Sequence, residues 1–188
     1  MMVATAPKVQ AEPETISHFL VIGYGNERRG DNGVGPWVAK AVADWNLPSV
    51  KTLAVPQLSP ELTAEMAKTN HVIFVDACSR SCAQTVQIDP LVICPQPISF
   101  SGKSHHCDPC TLLKLTHAQY GSYPCAWLLQ VAAARFDLGC ALSDTAKQGG
   151  DRALQTIAKF FKTYQQPKWG RPTMPAIVPE TEKVACIA

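Results

Sequence analysis

Short unbroken apolar runs alternate along this chain with longer stretches in which apolar residues return every third or fourth position. Phe19-Leu-Val-Ile22 and Val72-Ile-Phe-Val75 are wholly apolar, the pattern of strands covered on both faces. Val50–Val55 and Ala126–Ala132 predict two further strands, and Val86–Ile93, which alternates more, predicts an edge strand or hairpin arm. Helical spacing fills the gaps. Gly35–Trp45 carries Val38, Ala41 and Val42, with Pro36 tolerated in its first turn. Ser59-Pro-Glu-Leu62 predicts a helix start, with Ser59 as N-cap, Pro60 in the first position, and Leu62 and Met66 at helical spacing. Asp108–Ala118 carries Leu112, Leu113 and Leu115. Asp144–Tyr164 would turn Ala153, Leu154, Ile157, Ala158 and Phe161 toward a sheet. The order βαβαββαβα predicts an α/β fold, a three-layer α/β/α sandwich around a mostly parallel twisted sheet of about five strands.

The ends break this rhythm. Residues 1–17 are polar and read as a flexible N-terminal arm. Residues 165–188 hold Pro167, Pro172, Pro175 and Pro179 without a period and read as a disordered tail, which leaves 18–164 as the domain. At 188 residues and 46% hydrophobic, the chain suits one domain with a normal core. A net charge of +2, with no Lys/Arg block, gives no basis for nucleic acid or a membrane surface as partner. No segment reaches the roughly 18–20 apolar residues that span a bilayer, and residues 1–17 lack the apolar core of a secretory signal. A cytoplasmic monomer is the expectation. In that compartment the eight cysteines (78, 82, 94, 107, 110, 125, 140 and 186) are expected as free thiols, several packed as small hydrophobes. Cys107-Asp-Pro-Cys110, preceded by His105 and His106, imitates half of a zinc site. A second ligand pair would have to come from Cys78 and Cys82.

The first strand runs into Gly23-Tyr-Gly-Asn-Glu-Arg-Arg-Gly-Asp-Asn-Gly-Val-Gly35. A dinucleotide loop needs a third glycine where Arg28 stands, so no nucleotide cofactor is expected. In parallel sheets ligands bind beyond the carboxyl ends of the strands. Three places put polar groups on that edge: Asp31-Asn32 in the turn, Asp76 after the third strand, and His105-His106 before the Asp108 helix. Carboxylate and imidazole converging from separate loops can build an open metal site, and imidazole suits nickel, zinc or copper. Each residue also has a structural reading. Asp31 can cap a helix, Asp76 can cap the following loop, and the histidines can be solvated in the polar loop at 99–107. His18, His71 and His117 read as strand-edge or helix-surface residues.

These residues carry a resemblance. A strand, Gly-x-Gly-Asn, four residues, Asp, an acidic residue, two residues and Gly is similar to the opening of the [NiFe]-hydrogenase maturation endopeptidases. Gly23-Tyr-Gly-Asn26 and Asp31-Asn-Gly-Val-Gly35 match it in spacing. An apolar strand ending in Asp76-Ala77 follows, then His105 at a set distance from Leu112-Leu113. Val55-Pro-Gln-Leu-Ser-Pro-Glu-Leu62 and the His105-x-x-Asp108-Pro109 spacing look closest to cyanobacterial-type members. The resemblance covers residues 18–164.

It implies an endopeptidase that removes the C-terminal extension of the hydrogenase large-subunit precursor after nickel insertion. The nickel is carried by that precursor, which is the expected partner. Matched position by position, the metal-contacting and catalytic residues fall on Asn32, Asp76 and His105, with Asp31, Gly33 and His106 as neighbouring support. The docked ion would report that nickel is in place, and could polarise the scissile carbonyl. No G-x-S-x-G or H-E-x-x-H motif offers an independent nucleophile or metal site. The departure is at position 32, where the family has Asp or Glu. Asparagine offers a carbonyl oxygen without charge. On a helix Asp31 would point about 100° away from it. A non-cleaving binder or chaperone of the large subunit is the alternative reading, and Asn32 favours it.

Overall fold

The computed structural model describes residues 18–78, 85–93 and 107–164. The arm, the tail and the His105-His106 pair lie outside the described residues. Strands β1 (Phe19–Tyr24), β2 (Val50–Val55), β3 (His71–Cys78), β4 (Val86–Leu91) and β5 (Cys125–Ala132) form one sheet in the order β2-β1-β3-β5-β4. Every pairing is parallel except that of β4 with β5, which places Pro90 on an edge strand where a missing N–H is tolerated. Helices α1 (Val34–Ala43), α2 (Thr63–Met66), α3 (Pro109–Tyr120) and α4 (Asp144–Tyr164) cover its faces. The α/β/α sandwich with a mostly parallel five-stranded sheet is the observed architecture.

Strand alternation divides the core in two. Phe19, Val21, Ile73, Val75, Leu129 and Val131 pack against α1 and α4. Leu20, Ile22, Val72, Phe74 and Ala126 pack against Leu112 and Leu113 of α3, and against Leu58, Leu62 and Met66 around α2. The crossover from β1 to β2 therefore runs on one face, and that from β2 to β3 on the other. From β1 the chain goes on to β2 toward one edge of the sheet and from β3 to β4 toward the other, so the strand order reverses between β1 and β3. The crevice beyond the carboxyl ends of these strands is where such sheets hold ligands.

Several expected details change. A 3-10 turn, Gly30–Gly33, precedes α1. Ser59 takes the N-cap backbone position but makes no side-chain cap bond, and the helix it opens is a 3-10 turn (Pro60–Leu62) followed by only four α-helical residues. Asp108 does cap α3: its carboxylate accepts from the Thr111 N–H at 2.9 Å and the Thr111 hydroxyl at 2.6 Å. In α4 the fully buried positions include Ala146, Gly149 and Gly150, while Leu154 and Ala158 are only half-buried. His71 is not a strand-edge residue. It is 5% exposed, stacked on Phe19 and flanked by Trp127, Phe160 and Tyr164. Cys78 is disulfide-bonded, contrary to the expectation of free thiols throughout. Among the described residues no helix is long and apolar enough to cross a membrane.

Candidate functional site

Asp76 lies inside β3 rather than after it. Pairing with β1 ends at Gly23–Val75, whereas β3 continues beside β5, with Asp76 opposite Gln130. Asp76 thus has a ladder neighbour on one side and the crevice on the other. By alternation its side chain shares the face of Val72 and Phe74, and Tyr24, at the end of β1, shares the face of Leu20 and Ile22. The two meet: the Tyr24 hydroxyl donates to Asp76 Oδ2 at 2.7 Å, and the Ala77 N–H donates to Oδ1 at 2.8 Å. Burial pushes the Asp76 carboxyl above its ordinary value, and the two hydrogen bonds offset this only in part. Burial, and then the negative charge of Asp76, push the Tyr24 phenol up, so it stays a donor. The charge of Asp108, the N-cap of α3, raises the Tyr24 phenol further.

The glycine-rich turn closes over this end of β1. Gly25 has φ +137°, and a Cβ there would lie 2.0 Å from the Asn32 carbonyl oxygen. The chain folds back so tightly that only glycine fits. Asn32 Oδ1 accepts from the Asn26 N–H, and Asn26 Oδ1 accepts from the Arg28 N–H at 2.9 Å. Asn32 is half-buried; Gly33 beside it approaches the Glu27 backbone, where a Cβ would come within 2.9 Å of Glu27 Cα. The 3-10 turn that carries Asn32 contacts β3, so Asn32 and Asp76 come from neighbouring segments at one sheet edge.

Asp31 has another task. It is fully buried and accepts four hydrogen bonds: from the Ser143 N–H at 2.6 Å, the Ser143 hydroxyl at 2.7 Å, the Ala134 N–H at 2.7 Å and the Arg135 N–H at 2.9 Å. Burial raises its carboxyl, but these bonds together outweigh it and hold the group below its ordinary range. Ser143 Oγ in turn accepts from the Ala146 N–H at 3.1 Å, within the first turn of α4. Asp31 therefore ties the turn to the loop after β5 and to the start of α4. Both its oxygens are held by this buried network, so it is a structural tie and not a replacement for its neighbour at position 32.

Among the described residues no three His, Cys, Asp or Glu side chains gather to hold an ion. Cys107, Cys125 and Cys140 are free thiols, half-buried, and Cys110 is half-buried at the start of α3. Burial pushes the Cys107 and Cys125 thiols up, with the charges of Asp108 and Glu61 adding to the effect at Cys107. Cys78, one of the second ligand pair that a zinc site would need, is disulfide-bonded instead. Tyr24 and Ser143 escaped the sequence reading. Tyr24 carried one usable signal, since its parity with Leu20 and Ile22 aims it at the face that Asp76 also occupies.

No family model matches the sequence, and no curated protein sequence matches it. Solved structures do. The [NiFe] hydrogenase maturation protease HycI from Thermococcus kodakarensis superposes with a TM-score of 0.61 at 20% identity, covering 79% of this chain and 94% of its own. The hydrogenase maturating endopeptidase HybD from E. coli gives 0.62 at 20%, covering 78% and 93%. An endopeptidase from Escherichia coli gives 0.61 at 21%, covering 79% and 95%. This chain shares their fold. The likeness extends over nearly the full length of each of these proteins, so the arrangement of strands and helices around the crevice is common to them.

Proposed function

We propose that the protein is an endopeptidase that removes the C-terminal extension of a [NiFe]-hydrogenase large-subunit precursor once nickel is in place. The observation that carries this reading is Asp76. It is a carboxylate at the carboxyl end of a central parallel strand, poorly solvated and open to the crevice on the β1 side. A buried carboxylate gains strongly from a cation brought to it. The motif order at Gly23–Asn26, Asp31–Gly35 and Asp76-Ala77 and the shared fold support the same reading.

In this reading the nickel held by the precursor docks against Asp76, His105 and the Asn32 carbonyl oxygen. Recognition then depends on the cargo: a precursor without nickel lacks the ion that these groups take up. Asn32 supplies an oxygen and no charge, so Asp76 is the principal anionic contact. Arg28 in place of the third glycine argues against a nucleotide in the crevice. Sequence features at Val55–Leu62 and His105–Pro109 favour a cyanobacterial-type member of the family.

Mass spectrometry of nickel-loaded precursor incubated with the protein tests the proposal. Loss of a C-terminal peptide, absent with nickel-free precursor, is the expected result. The neutral amide at position 32 favours a second reading, a large-subunit binder that does not cut. An intact precursor recovered in a stable complex would replace the first reading with the second.

A further inference from the structure

We propose that Tyr24 is the positioning residue for Asp76, holding its carboxyl in the one orientation that meets the ion of the precursor. The inference rests on the proposed function and adds a residue that the motifs do not single out. Asp76 stands one residue beyond the last β1–β3 pair, so no ladder partner on the β1 side confines it. The Ala77 amide that binds Oδ1 belongs to its own backbone neighbour. The Tyr24 hydroxyl, 2.7 Å from Oδ2, reaches it from a different strand.

Tyr24 suits this task. It is held between Gly23 and Gly25, and its ring packs against the core cluster of Leu20, Ile22 and Phe74. A phenol has two side-chain torsions and little freedom once its ring is packed. The two bonds occupy one lone pair on each carboxylate oxygen and leave one on each for a ligand. Fixing a ligating group before the substrate arrives lowers the cost of ordering it during the reaction.

The test compares wild type, Tyr24→Phe and Tyr24→Leu. The phenylalanine variant keeps the packing and removes only the donor. The leucine variant gives the same reading if the altered ring disturbs the strand. High-resolution crystal structures or side-chain NMR couplings are expected to show Asp76 in one rotamer in wild type and in several in the variants. Processing of nickel-loaded precursor is expected to lose about ten- to a hundredfold in kcat, with KM within about threefold. An Asp76 that keeps its single rotamer in both variants overturns the proposal, as does unchanged kcat alongside a loosened carboxyl. If wild type leaves the precursor intact, the proposed function falls. The rotamer measurement then decides the Tyr24 claim by itself.

Discussion

A carboxyl and an amide come from neighbouring segments at the crevice, and their surroundings differ. Asp76 is desolvated and held by Tyr24 and Ala77, whereas the Asn32 side chain already serves the turn by accepting from the Asn26 N–H. Asp76→Ala is expected to abolish precursor processing while the thermal midpoint stays within a few degrees, because no ladder bond is lost. Asn32→Asp keeps an acceptor for Asn26 and adds a negative charge where the proposed function docks the ion of the precursor. Its processing rate, followed by mass spectrometry, is expected to equal or exceed wild type, and a clear loss would refute the placement of this residue. His71, at the far end of β3, gives a prediction on stability. Its Nδ1 has no hydrogen-bond partner among the described residues, and burial lowers its pKa from the ordinary 6.5. Below pH 6.5 the unfolded chain binds a proton that the folded state resists, so stability is full above that value and falls as the pH drops below it. His71→Phe should flatten this decline in thermal unfolding between pH 7 and 5. Asp76 was legible because an acidic residue closing an apolar run is locally conspicuous. His71 was not, because its burial depends on rings from β1, β5 and α4 that no local pattern announces.

Among the elements, the 3-10 turn before α1 depends on the start of α4 for its shape. Four donors converge on Asp31, and in Asp31→Ala three backbone amides and a hydroxyl lose their acceptor in a buried place. The expected cost is about 3 kcal/mol or more, read as a lower urea midpoint with an unchanged slope. The depressed carboxyl gives a second signature. The stability that Asp31 contributes is present above its ordinary value near 3.8 and is lost as pH falls through its lower folded value, so the variant should lose part of the acid transition. The strands and the long helices were readable in the apolar rhythm; their ends were less so. The apolar run at Val72–Val75 stops where the buried face stops, yet hydrogen bonding with β5 carries β3 on to Cys78. The helix expected from Ser59 shrank because its two anchors, Leu62 and Met66, need only about a turn to reach the core.

For the whole molecule, the strand order sets where chemistry is possible. The sequence predicted the layers, since alternation of element types fixes them, but not the neighbours of each strand, which follow from long-range pairing. Only the order β2-β1-β3-β5-β4 shows that Tyr24, at the end of β1, and Asp76 of β3 lie on adjacent strands at the point where the strand order reverses. Related crevices hold dinucleotides in other α/β proteins. Here NAD or ATP is expected to leave the thermal midpoint unchanged, and a concentration-dependent rise would reopen that reading. The bond from the Ser143 amide to Asp31 spans 112 positions of sequence. As the chain leaves the ribosome from its N-terminus, the glycine-rich turn emerges early and then waits. Its fastening arrives only when the start of α4 has been made, so the turn is fixed in place only after all five strands of the sheet have been synthesised.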